Sequence, residues 1–312
     1  MSCPPVLFLI FNRPELTARV FARIREAKPA RLFVAADGPR RSRREEIVLC
    51  EKTRRIVDDA VDWDCQVERL YRTENLGCKV AVSEAINFFF TRVSEGIILE
   101  DDCLPDPTFF RYCSELLERY RQNSRVFQIS GFNPAAREAP AQSSYIPWHF
   151  GSIWGWATWR RAWAYYDRDM KEWPGFLQSG RLAELCTSEV ETAERTRSFG
   201  ETHAGRVDTW DNQWAVTRLI NQAITLTPMV NLVTNLGFGE NSTHTHDASD
   251  RRAGHTANAL PFPLQHPASL EPNRAFGAAY WEGISGGSAA KPANPLRRAV
   301  NKMRRLWRTA KT

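Results

Sequence analysis

Apolar residues in the first hundred positions fall in short continuous runs separated by polar stretches of helical period, the alternation of a sheet buried on both faces. Val6-Leu7-Phe8-Leu9-Ile10-Phe11 is the first run, closed by Asn12-Arg13-Pro14, and Leu16, Val20, Phe21 and Ile24 then recur at helical spacing as far as Lys28-Pro29. Leu32 to Ala36 is a second strand ending on Asp37-Gly38-Pro39, followed by an amphipathic helix from Arg43 to Ala60. Cys65 to Tyr71 alternates as a third strand and turns through Arg72-Thr73-Glu74-Asn75-Leu76-Gly77 into a helix that begins near Cys78. The fourth run, Ile97-Ile98-Leu99, stops at Glu100-Asp101-Asp102, and Pro105 and Pro107 prevent the strand from running on. Four such strand–helix units predict an α/β fold with a right-handed, mostly parallel central sheet and helices on both faces.

Beyond this point the alternation weakens. Phe109 to Tyr120 reads as a helix and Val126 to Ser130 as a strand, after which Pro, Ala and Ser dominate from 132 to 147. Trp148, Trp154, Trp156, Trp159 and Trp163 follow closely. Trp159 and Trp163 read as core, while Trp154 and Trp156 are open between core and a platform on which a sugar ring stacks. Residues 181–200 read as one polar helix. Thr209 is placed as the N-cap of a helix through Val216, Leu219 and Ile220, with Asp211 in its first turn. Short strands are expected at Ile224 to Leu226 and Val230 to Val233, then a Gly- and His-bearing loop from Asn235 to His246. The chain thus divides into two halves of one domain, 1–131 and 132–266, a linker-like segment at 267–294 and a basic amphipathic tail at 295–312.

The tail changes how the charge is read. The formal charge is +6, yet residues 295–312 hold seven Lys/Arg and no acid, so the body is close to neutral and a nucleic-acid partner has no support. Leu296, Val300, Met303, Leu306 and Trp307 at helical spacing among those cations suit an anionic membrane surface, or a disordered or partner-bound tail. With 312 residues, 43% of them hydrophobic, a large core is affordable. The sequence has no apolar stretch of the roughly 20 residues needed to span a bilayer and no signal-peptide pattern, so the expected location is cytoplasmic. Seven cysteines without a C-x-x-C pair argue against a disulfide framework and a structural zinc site.

The chemistry concentrates at strand ends. Three adjacent acids repel one another, so Glu100-Asp101-Asp102 makes sense beside a divalent cation holding a phosphorylated ligand. Asp37 ends another strand, and the helix start near Gly77 and Lys79 suits an anionic group. The four arginines among residues 40–44 are read as a solvated helix start, with phosphate contact as the alternative.

These residues resemble nucleotide-sugar-dependent glycosyltransferases of the GT-A (nucleotide-diphospho-sugar transferase) fold, especially those similar to N-acetylglucosaminyltransferase I and family 2-like proteins, over roughly residues 5–245. The acidic triplet followed by Pro107 and Phe109-Phe110 is the most specific part, and Gly155-Trp156 and Trp210-Asp211 resemble later motifs. The resemblance implies that Asp102 binds Mn²⁺ or Mg²⁺ directly, with Glu100 and Asp101 near the donor's sugar and ribose. It places the nucleotide against Asn12, Arg13 and Asp37, and more loosely against Asn75, Gly77 and Lys79. Asp211 would be the base, with Asp208 as competitor in the same turn, and His244, or less aptly His246, would complete the metal shell. Trp154, Trp156 and Trp210 would form an acceptor or sugar platform. The implied reaction is metal-dependent, inverting hexosyl or N-acetylhexosaminyl transfer from a nucleoside-diphosphate sugar, UDP favoured, to a glycan or lipid-linked acceptor such as a cell-envelope polysaccharide. The Pro/Ala-rich segment and the lack of an N-terminal anchor depart from the family and leave the acceptor open. Two alternatives remain. A sugar-nucleotide nucleotidyltransferase requires a glycine-rich basic loop that Asn12-Arg13-Pro14 does not supply, and a non-catalytic carbohydrate-binding protein would keep the fold without the base.

Overall fold

The computed structural model describes residues 2–135, 143–238 and 255–285. Its first half follows the hydrophobic pattern closely: strand β1 Val6–Ile10, helix α1 Pro14–Ala27, β2 Arg31–Ala36, α2 Glu45–Ala60, β3 Gln66–Tyr71, α3 Gly77–Arg92 and β4 Glu95–Glu100. A short β5 at Cys103–Pro105, α4 at Thr108–Arg119 and β6 at Val126–Ser130 complete it. The second half adds β7 Tyr145–Trp148, β8 Trp156–Trp159, α5 Arg160–Trp163, α6 Trp173–Gln178, α7 Arg181–Leu185, α8 Glu189–His203 and α9 Asp211–Ile220. Strands β9 Ile224–Pro228 and β10 Val233–Asn235 and helix α10 Arg274–Ser285 follow.

Eight strands form one sheet in the order β3-β2-β1-β4-β8-β6-β9-β7, and β10 pairs with β5 in a small antiparallel ribbon. The pairings β3-β2-β1-β4 and β6-β9 are parallel, while β8 lies antiparallel between β4 and β6 and β7 antiparallel on β9. The strands divide their side chains between two layers, as the period of two requires. Val6, Phe8, Ile10, Leu32, Val34, Ile97 and Leu99 face Val20, Phe21 and Ile24 of α1 and Phe109 and Leu116 of α4. Leu7, Leu9, Phe33, Ala35 and Ile98 face Ile86 and Phe89 of α3, Trp163 of α5 and Trp214 of α9. Each fully buried Leu, Ile or Phe contributes about 1.5–3 kcal/mol, so these two layers dominate the stability of the sheet.

The second half departs from the sequence expectations in five places. Residues 181–200 are two helices, because Ser188 caps α8 by accepting from Glu191 N at 3.1 Å while Glu191 returns to Thr187 N at 2.7 Å. The N-cap of α9 is Trp210, not Thr209, whose hydroxyl instead donates to Asp211. The strand expected at Val230 to Val233 begins only at Val233, where pairing with Pro105 starts. Residues 145–148 and 156–159 are strands that the sequence reading did not assign, since β9 and β4 offer edges to pair with. Within the segment read as linker-like, 274–285 is a helix, anchored through the buried aromatics Phe276 and Tyr280 one turn apart.

Candidate functional site

Strand order reverses between β1 and β4: the chain leaves β1 towards β2 and returns to pair β4 on the other side of β1. At such a switch point the loops after the two strands diverge and leave a crevice at the carboxyl ends. The loop after β1 supplies Arg13 and the end of β4 supplies the acidic triplet. Arg13 lies between two of the acids, donating through Nη2 to Asp101 Oδ1 and through Nη1 to Asp102 Oδ2 at 2.9 Å. Asp101 is 2% exposed and also accepts from Phe11 N at 3.3 Å, whereas Asp102 is 14% exposed and faces the opening. The guanidinium sought for phosphate or base is therefore engaged by carboxylates.

Glu100 completes the floor differently. Its Oε1 is buried without a hydrogen-bond partner, and its pKa is pushed well above the ordinary carboxylate range by burial and then by Asp102. Asp101 is raised too, by burial, with Arg13 working against the rise. For Arg13 burial acts downward, but Asp101 and Asp102 outweigh it and fix the guanidinium as a cation.

Asp37, at the end of β2, acts as an organiser of the neighbouring turn. It accepts from Gly38 N at 2.9 Å, Asn75 Nδ2 at 2.9 Å, Leu76 N at 3.0 Å and Gly77 N at 3.2 Å. Burial raises its pKa, opposed by these backbone donors. Asn75 also donates to Gly38 O at 2.9 Å, so Asp37 and Asn75 meet each other across the β2 and β3 ends.

The N-terminus of α3 holds an anion, and that anion is a side chain. Asp208 accepts from Cys78 N at 2.9 Å and Lys79 N at 3.0 Å, clamping the second half of the chain onto the first. Gly77 permits this, with φ +79 and a Cβ position only 2.7 Å from Asp208 Oδ2. Asp211, at the first position of α9, accepts on Oδ1 from Thr209 Oγ1 and from Asn212 N at 2.8 Å. Among the described residues its Oδ2 receives no hydrogen bond. The two acids of one turn thus have different employment.

These elements enclose a cleft of about 620 Å³ whose lining brings together Arg13, Asp37, Asn75, Gly77, Glu100, Asp101, Asp102, Trp154, Asp208, Trp210 and Asp211. Trp210 is only 2% exposed and stacks on Trp156 with ring centres 5.6 Å apart. Trp156 itself is fully buried in β8 and does not line the cleft, so of its two readings the structure has core. Trp154 packs edge-on against Phe132 at 4.6 Å and Phe238 at 5.6 Å. Asn12 and Lys79 stand outside the lining. His244, His246 and the tail 295–312 lie outside the described residues.

Sequence reasoning missed several lining residues. Asn235 and Gly237 close on the triplet: Leu236 N donates to Asp102 O at 2.7 Å, Gly237 N to Asn235 Oδ1 at 2.7 Å, and a Cβ on Gly237 would stand 2.2 Å from Asp102 Oδ2. An Asn-x-Gly turn directly after a strand was the available signal. Arg40, from the arginine run for which phosphate contact is the alternative reading, and Thr209 also line the cleft, as do Cys78, Arg72 and Asn212, which no local pattern singles out.

Among the described residues no three His, Cys, Asp or Glu side chains gather into a metal shell, and no helix is long and apolar enough to cross a membrane. The oxygen donors around Asp102 nevertheless suit a hard cation of the kind held by one or two carboxylates and completed by ligand phosphates.

No family model matches the sequence, and no curated protein matches it. Among solved structures, the galactosyltransferase LgtC in complex with donor and acceptor sugar analogs is similar at TM-score 0.38 and 9% identity, over 94% of this chain and 99% of that one. HddC from Yersinia pseudotuberculosis follows at TM-score 0.31 and 10% identity, over 51% and 77%. A UDP-glucose pyrophosphorylase complexed with UDP-glucose aligns at TM-score 0.26 and 12% identity, over 46% and 61%. Likenesses this distant leave the chemistry to be argued from the cleft's own residues.

Proposed function

We propose that the chain is an inverting, metal-dependent glycosyltransferase that moves a hexosyl or N-acetylhexosaminyl group from a nucleoside-diphosphate sugar, UDP favoured, to a glycan or lipid-linked acceptor. The observation that carries this reading is the pairing of a switch-point acid cluster with Asp211 from the other half of the chain across one cleft. Inversion needs a carboxylate on the ring face opposite the leaving diphosphate, and Asp211 has an uncommitted Oδ2 for the acceptor hydroxyl proton. Asp208 is the weaker choice of base, since both its oxygens accept from the α3 backbone.

Asp102, more open than Asp101, would hold Mn²⁺ or Mg²⁺, with a loop histidine such as His244 as a further ligand. When bound, the cation supplies charge neutralisation for the departing diphosphate. Glu100, carrying its proton, can donate to a donor hydroxyl, while Arg13 keeps Asp101 and Asp102 from repelling each other before ligand arrives. Asp37 and Asn75 shape the nucleotide side, and Trp154 and Trp210 the acceptor side. Pyrophosphorylase chemistry is disfavoured because the loop after β1 turns its one guanidinium onto carboxylates and gives way to α1 at Pro14. The basic tail fits an acceptor carried on an anionic membrane surface at its cytoplasmic face.

A thermal-shift screen of nucleotide sugars with and without manganese tests the reading, since a ligand that binds only the native state raises the melting temperature. Metal-dependent stabilisation by a UDP-sugar, lost in Asp102→Ala, is expected. A melting temperature indifferent to every nucleotide sugar would sink it.

A further inference from the structure

Away from the cleft, a further apolar cluster that includes Trp148, Phe150, Phe199, Phe276 and Tyr280 encloses polar side chains without partners. Arg218 of α9 is 2% exposed. Its Nη1 donates to His149 O at 3.1 Å and to Thr225 Oγ1, and Nη2 reaches Gly151 O at 3.5 Å, but Nε–H is buried with no acceptor. Among the described residues no carboxylate pairs with it. The titratable groups that face it are Tyr280, His149 and a second arginine, Arg195.

Arg195 donates through Nε to Glu191 Oε1 at 2.8 Å, and its guanidinium lies 3.5 Å from the ring centre of Phe150 and 5.1 Å from that of Trp281. Its Nη2 is buried and unpartnered, as are the Tyr280 hydroxyl and the Trp148 indole N–H. The groups converge on one short stretch. Arg218 holds the carbonyls on either side of Phe150, Arg195 covers the Phe150 ring, and α10 closes over them with Gly277 packed against the Trp148 indole.

Glu191 balances Arg195, which leaves the Arg218 cation without a counter-charge in apolar surroundings, an arrangement strongly unfavourable by itself. The unpartnered groups are three N–H donors, one phenol and the His149 ring nitrogen Nδ1, so donors outnumber acceptors and the negative charge is missing altogether. Water supplies acceptors without charge; a small anion supplies both.

We propose that a monovalent anion of halide size binds between Arg218, Arg195 and Tyr280, tying α8, α9 and α10 to residues 148–151. The site is separate from the cleft and independent of the glycosyltransferase reading. It bears on the cleft only through rigidity, because α9 begins at Asp211 and residues 149–151 lead into Trp154.

The test is the melting temperature of the whole chain at constant ionic strength as chloride or bromide replaces gluconate, which is too large for such a site. The expected rise is about 2 °C once halide exceeds its dissociation constant tenfold. Arg218→Met should abolish the dependence, and bromide-soaked crystals should show an anomalous peak within hydrogen-bond reach of Arg218 Nε. If Arg218→Met does not fold, Tyr280→Phe should weaken the halide dependence, and the anomalous map decides. No halide dependence in the unaltered protein, a dependence that survives in both variants, or a water without bromide signal between the two guanidiniums overturns the proposal.

Discussion

Replacing Arg13 by Met tests the electrostatic reasoning about the cleft floor most directly. The guanidinium is 18% exposed and serves two acids, one of them 2% exposed. At 2.9 Å and an effective dielectric of about 20, one such pair attracts by roughly 6 kcal/mol before desolvation is charged against it. Removing the cation alone leaves the acids uncompensated, a change that costs about 3–5 kcal/mol for a buried pair. The loss must also depend on pH. Burial raises Asp101 and Glu100 while Arg13 holds both down, so without Arg13 their folded-state pKa values climb further. Near neutral pH the variant then pays to ionise or to take up protons; near pH 4, where unfolded carboxylates are themselves partly protonated, the penalty shrinks. Urea denaturation of both proteins at the two pH values measures this. Arg13→Met should lose about 3–5 kcal/mol near neutrality and clearly less in acid. Manganese should restore part of the loss, by replacing one cation with another. A deficit below about 1 kcal/mol, or one equal at both pH values, would refute the argument and reduce Arg13 to a surface ion pair.

Three further outcomes follow from the same geometry. Asp211→Asn should lower turnover by about 10²–10⁴-fold with donor affinity retained, whereas Asp208→Ala should cost about 1 kcal/mol of stability as a lost helix cap and spare more of the chemistry; steady-state kinetics beside denaturant melts separates the two. Gly77→Ala should destabilise by about 1–2 kcal/mol from its left-handed backbone alone, and additionally loosen Asp208, which amide hydrogen exchange at Cys78 and Lys79 would report. Because Glu100 binds its proton more tightly folded than unfolded, its contribution to stability is present in acid and lost as pH rises past its ordinary 4.5 towards the raised value. Glu100→Gln should therefore flatten the stability profile of the ligand-free protein over that range, and an unchanged slope would assign the effect elsewhere.

Local pattern determined the first hundred residues. Continuous apolar runs bounded by turn residues fit strands buried on both sides, and Pro14, Asp37 and Gly77 mark the junctions between those strands and the helices that follow, so the strand ends and their acids were legible in the sequence. The capping signature Ser188-x-x-Glu191 was equally local and would have divided α8 from α7. What only the tertiary structure decided is how distant segments answer one another. That β8 inserts antiparallel beside β4, that Trp156 is core, and that α10 packs on Trp148 depend on edges and surfaces supplied from elsewhere in the chain. The same holds for the cleft. An Asp after a strand and an Asp before a helix look alike in sequence. Asp37 became a turn organiser and Asp208 a cap for α3, 130 residues away, while Asp211 kept an oxygen free. Charge and hydrogen-bond capacity belong to the residue type, but which partner consumes them is set by long-range packing, and a one-dimensional pattern does not encode that.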